Sequence, residues 1–196
     1  MILINRFMIN NNCYIDALIP ELSDKNNSYC EPTEKLHIFD FITVIYHDGS
    51  NELVLLEDVA EFIVEMLKNS LQSAFIGKQI LPSHIDLGKA SLSFSLDEQS
   101  DNDEIDYTIF WLWSSPTRVQ TWLYTRDNKI YLEISSTYPW LFVDPEPSEN
   151  YYSFDEYIKN YKPIAVYEIS RETAQQWLEQ CNTMLDTMDA PPGYTR

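Results

Sequence analysis

Basic residues are scarce in this chain: 13 Lys and Arg stand against 31 Asp and Glu among 196 residues, a formal net charge of −18. That deficit excludes a surface built to follow a nucleic-acid backbone or to adhere to an anionic membrane, since both need clustered cations. Glycine is scarce too. Gly49, Gly77, Gly88 and Gly193 lie far apart, which excludes a P-loop or a dinucleotide fingerprint, because each needs several glycines within one tight turn. The three cysteines, Cys13, Cys30 and Cys181, are odd in number and lack CxxC spacing. They read as reduced thiols of a cytosolic protein and not as a disulfide framework, with Cys181 expected in the core.

Histidine is limited to His37, His47 and His84, and no HExxH, closely spaced His/Cys set or GxSxG occurs. Zinc chemistry and the nucleophile-elbow hydrolases therefore find no motif here, and no cofactor is expected. Long apolar runs are missing as well. The most apolar stretch, 109–113, is five residues long, against about twenty for a membrane span. Asn5 and Arg6 interrupt the N-terminal apolar run before a secretory h-region forms, so the expectation is a cytoplasmic protein without a signal peptide.

What is present is aromatic: five Trp, nine Phe and thirteen Tyr, in a chain that is 44% hydrophobic. Many acidic chains stay disordered for want of such side chains, so this one is expected to fold, as a single domain. Residues 2–9 and 13–19 read as strands and 20–35 as a loop. Residues 36–46 and 53–56 read as a hairpin around Gly49. Between 58 and 75, Val59, Phe62, Ile63, Met66, Leu67, Leu71 and Phe75 recur at helical spacing, with Asp58 and Glu61 placed as a capping box.

From residue 89 the period becomes two. Strands over about 91–96, 105–113, 118–125 and 130–135, with a tight turn at Asp127-Asn128, predict an antiparallel meander over about 89–136. Ile109, Trp111 and Trp113 alternate with Phe110 and Leu112, which reads as a central strand covered on both faces. Ser153 with Glu156 opens a short helix over 153–161. A strand over 164–169 follows, then a final helix over 171–188 capped by Ser170, with Ala174, Trp177, Leu178, Cys181, Leu185 and Met188 on its apolar face. The fold expected is α+β: a mostly antiparallel sheet with helices packed on one face.

The densest acidic segment, 97–106, contains Asp97, Glu98, Asp101, Asp103, Glu104 and Asp106 with no base among them. It fails as an EF-hand, since no glycine takes the sixth position and the twelfth from Asp97 is Thr108. A second acidic segment carries Asp144, Glu146 and Glu149 among prolines, preceded by Trp140 and followed by Tyr151 and Tyr152. Tyr and Trp bury large area with few rotors and anchor many protein interfaces. Acids around such anchors fit a basic protein surface, so these twelve residues are the candidate partner-binding set.

With its capped helix at Asp58, the strand Ile109-Phe110-Trp111-Leu112-Trp113 and the terminal Trp177-Leu178-Glu179 helix, the chain resembles the immunity proteins of bacterial polymorphic-toxin systems, including contact-dependent growth inhibition. That resemblance implies a non-enzymatic protein that neutralises a basic cognate toxin domain, often a nuclease, by covering its active site or an exosite. Those proteins share no universal motif, so the resemblance assigns no residue a role. Two other readings stay open: a nucleic-acid mimic whose carboxylates imitate phosphates, and a small hydrolase using carboxylates with His37, His47 or His84.

Overall fold

A computed structural model describes residues 1–20, 35–49, 51–83, 87, 107–115, 118–140 and 144–194. The fold is α+β, and the described residues form two four-stranded antiparallel sheets where the sequence suggested one. The first is a meander of β1 (Ile2–Met8), β2 (Cys13–Ile19), β3 (Phe41–Asp48) and β4 (Asn51–Val59), in that spatial order. The second orders β5 (Trp111–Ser115), β6 (Val119–Arg126), β7 (Lys129–Ser136) and β8 (Ala165–Ile169) in the same stepwise way. The helices are α1 (Ala60–Phe75), α2 (Phe154–Asn160) and α3 (Arg171–Thr187). The strand expected over 91–96 lies outside the described residues.

One hydrophobic core joins the two sheets. Ile15 and Ala17 of β2, Ile42 and Val44 of β3, Leu123 of β6 and Leu132 and Ile134 of β7 meet Ile63, Leu67 and Leu71 of α1 and Trp177 and Cys181 of α3. The helices α1 and α3 also pack on each other. The apolar face expected for α3 is present, with Ala174, Trp177, Cys181, Leu185 and Met188 buried and Leu178 packed at its margin. Its Ser170 Oγ accepts the Thr173 N–H at 3.0 Å, as a helix cap should. The Trp177 indole donates to the Met8 carbonyl at 3.0 Å and Gln180 donates to that of Arg6 at 3.1 Å, so side chains of α3 occupy acceptors along the edge strand β1.

The start of α1 departs from the expected capping box. Asp58 belongs to β4 and its carboxylate accepts the Val59 N–H, so Val59 is the N-cap and no side chain caps the helix. Strand runs into helix without a loop, and the first helical amides are satisfied by backbone instead: Ala60 N–H donates to Asp40 O at 2.7 Å and Glu61 N–H to Ile38 O at 3.2 Å. The buried stripe is correspondingly rotated toward Ala60, Ile63, Val64, Leu67, Leu71 and Ala74. Phe62, expected inside, is exposed, and Glu61, expected outside, is buried against the Tyr194 hydroxyl.

The expected central strand is also corrected. Among the described residues β5 is the outermost strand of its sheet, and a bulge sets Trp111 opposite Trp122 but Trp113 opposite Thr121, leaving Leu112 as the extra residue. Alternation breaks there. Trp113 is buried (2% exposed) while Trp111 and Ile109 face outward, Trp111 at 43%. The strands covered on both faces are β6 and β7: Leu123, Leu132 and Ile134 face the main core, and Trp122, Tyr124 and Tyr131 face a second cluster with Leu81, Leu87 and Phe110. Asp127 and Asn128 join them with both φ angles positive (49° and 63°), as a two-residue hairpin turn demands. Among the described residues no helix is long and apolar enough to cross a membrane.

Candidate protein-binding site

The polypeptide leaving β7 doubles back over the outer face of its own sheet through an aromatic cluster. Tyr138, buried, is its hub: its ring meets those of Trp140 at 5.7 Å, Tyr152 at 6.1 Å, Phe154 at 5.2 Å and Tyr157 at 5.6 Å. Its hydroxyl donates to the Tyr152 carbonyl at 3.2 Å, which ties the two ends of the intervening loop. Trp140 packs its own ring tilted against Tyr151 (5.2 Å) and edge-on against Tyr152 (4.8 Å). Edge-to-face and tilted pairs of this kind each contribute about 0.5–1.5 kcal/mol beyond area burial. The outer rings are nonetheless open to solvent, Tyr151 at 57% and Tyr152 at 37% exposure.

The acidic loop is folded around one carboxylate. Glu149 Oε2 accepts the Trp140 indole N–H at 2.9 Å and the Glu146 backbone N–H at 2.9 Å, and Oε1 lies 3.9 Å from Arg118. The indole contact foremost, then the Glu146 amide, holds the Glu149 carboxyl below the usual glutamate range. Asp144 and Glu146 stay exposed beside it. The carboxylate that sequence reasoning offered for steering thus also fixes the Trp140 anchor in place.

Beyond the loop, Ser153 caps α2 through the full capping box with Glu156, as expected. The helix lies on the outer face of β7. Tyr157 donates to the Ser136 carbonyl, and Tyr161, just past the helix, donates to Ser135 Oγ at 2.6 Å with Glu133 Oε1 3.1 Å from the same hydroxyl. Glu133 is 5% exposed and further accepts Ser135 Oγ–H (3.0 Å) and the Tyr124 hydroxyl (3.1 Å). Burial foremost, then the Glu133 charge, pushes both the Tyr124 and the Tyr161 hydroxyl well above the usual phenol value. Between α2 and the end of β7 lies a cleft of about 440 Å³.

Of the twelve residues proposed from sequence, six are brought together here: Trp140, Asp144, Glu146, Glu149, Tyr151 and Tyr152. The other six, Asp97, Glu98, Asp101, Asp103, Glu104 and Asp106, lie outside the described residues. Sequence reasoning missed Glu133, Tyr157 and Tyr161 as one unit. Tyr131, Glu133 and Ser135 alternate with core residues along the strand; the signal that this face is covered was Tyr157 and Tyr161, four apart and able to lie over one strand.

The histidines sit apart from this surface. His47 belongs to β3 and not to the turn expected there; its ring stacks on Tyr14 and its nitrogens lie 3.3 Å from Asp16 and 3.5 Å from Glu52. Asp16 is held by Arg6 through two hydrogen bonds of 2.6 and 2.8 Å. His37 accepts the Phe39 N–H at 3.2 Å, and His84 lies outside the described residues. Among the described residues, no group of three or more His, Cys, Asp or Glu side chains is placed to hold a metal ion. No family model matches this chain, and neither a curated protein nor a solved structure is detectably similar to it.

Proposed function

We propose that this chain is a non-enzymatic inhibitor of the immunity-protein kind, which binds a basic toxin domain in the bacterial cytoplasm and neutralises it stoichiometrically. The observation that carries the reading is the Trp140, Tyr151 and Tyr152 cluster on the rim of an acidic loop: a half-buried tryptophan held by Glu149 and packed on Tyr138, with the Tyr151 and Tyr152 rings against it open to solvent. Rigid aromatic anchors lose little freedom on binding and dominate interface energies, while the surrounding acids draw in a cation-rich face. A chain with 18 net negative charges is repelled by nucleic acid and by its own copies, which leaves a basic protein as the complementary surface.

The direct test is co-expression with the product of the neighbouring reading frame. Protection of the cells and co-purification of the two chains are expected, and replacing Trp140, Tyr151 and Tyr152 together by alanine should abolish both. An active toxin left unbound by the wild-type chain would refute the proposal.

A further inference from the structure

The aromatic rim explains attachment, but not why a carboxylate, Glu133, is buried close by under Tyr161 at the end of α2. Glu133 is surrounded by three neutral hydroxyls, those of Tyr124, Ser135 and Tyr161, and among the described residues forms no ion pair. Taking an ion out of water without a countercharge is costly, even when its lone pairs are satisfied. Tyr161, whose hydroxyl lies 3.1 Å from the Glu133 carboxylate, also lines the 440 Å³ cleft, so the Glu133 charge sits one side chain behind that wall.

The rest of that wall is suited to a flat cation. Tyr152 and Tyr157 line it with rings stacked at 6.3 Å and 14° from parallel, Tyr161 stands edge-on to Tyr157 at 5.9 Å, and Glu156, whose Oε2 accepts the Ser153 N–H, is the one carboxylate among the lining residues. Tyr157 and Tyr161 are locked in place by their hydroxyl bonds to Ser136, Ser135 and Glu133, so the wall is organised before anything enters. We infer that this cleft is a pocket for an arginine side chain of the basic partner, a reading that rests on the proposed function and adds a defined contact to it. Guanidinium is favoured over ammonium because it is planar, less strongly hydrated, and stacks on aromatic faces while pairing with a carboxylate. The cleft falls within the range of ligand-sized cavities, with room for the side chain and its stem. Lys162 lines the same cleft and repels an incoming cation, which supplies a test of sign.

The experiment is an NMR titration of the full chain, its tyrosine rings labelled, with a blocked Gly-Arg-Gly tripeptide, against the same peptide carrying lysine or the neutral isostere citrulline. Saturable shifts confined to Tyr152, Tyr157 and Tyr161 are expected with arginine, about fivefold weaker binding with lysine, and none with citrulline. Tyr152→Ala, at a partly exposed site, should weaken arginine binding about fivefold, and Lys162→Met should tighten it about threefold. Shifts that spread over the surface without saturating, equal binding of citrulline, or indifference to Lys162→Met would overturn the inference. The neighbouring gene product separates the two ideas. If it binds while the peptide ignores the cleft, only the pocket falls; if the peptide binds and the toxin does not, the proposed function falls.

Discussion

Replacing Trp113 and Trp111 one at a time by alanine separates two residues that simple alternation would place on one face of β5. Trp113 lies in the main core, its indole 3.4 Å from the Ile63 carbonyl. Truncating a fully buried tryptophan costs about 3–5 kcal/mol, and a hydrogen bond this long adds little. Trp111 keeps 43% of its surface in water and touches Trp122 edge-on at 6.1 Å. With about half the area to lose, its truncation should cost about 1.5–2 kcal/mol, ring contact included. In urea, with a slope of about 2 kcal/mol/M, the midpoints should differ by about 1 M, Trp113→Ala being the lower, at unchanged slope. Equal midpoints would mean that the bulge does not divide the two side chains, and the assignment of β5 as a bulged strand would fail.

Three smaller perturbations follow from individual contacts. Because Glu149 is held below the usual glutamate range by Trp140 and the Glu146 amide, the loop contacts should persist through the ordinary glutamate titration and be lost only as pH falls through that lowered value; the Trp140 indole N–H resonance should report this, and Glu149→Gln should erase the transition. Burial pushes the Cys181 thiol up to about 12, so pulse labelling with a maleimide at about pH 8 should leave it unmodified in the native chain and label it fully in urea. Asn128 holds a φ of 63° in the turn between β6 and β7, and Asn128→Ala should cost about 1 kcal/mol in chemical denaturation, against no loss if the turn tolerated an ordinary residue.

The readable parts of the sequence were those in which a local signal and the tertiary environment agree. The α3 stripe, its Ser170 cap, the Ser153/Glu156 box and the Asp127-Asn128 turn each depend on a few adjacent residues, and each is present. Errors arose where a distant segment decided the outcome. The amides at the start of α1 are taken by the carbonyls of Ile38 and Asp40, which makes a side-chain cap at Asp58 unnecessary. A one-residue bulge in β5 defeats a period-two reading of its tryptophans. For the candidate site, the aromatic and acidic residues on either side of the 144–150 loop were visible as neighbours in the chain. The stacking of α2 over Glu133 was not, because a buried carboxylate and an exposed one look alike until the covering helix is placed.

The central claim is that carboxylates bring a cationic protein in and the aromatic rim keeps it. Stopped-flow measurement of association and dissociation with the purified neighbouring gene product, from about 50 to about 500 mM salt, tests both halves at once. Association should slow at least about tenfold across that range with little change in dissociation, whereas alanine at Trp140, Tyr151 and Tyr152 should speed dissociation at least about tenfold with little change in association. An association rate indifferent to salt, or a dissociation rate indifferent to loss of the three rings, would contradict it.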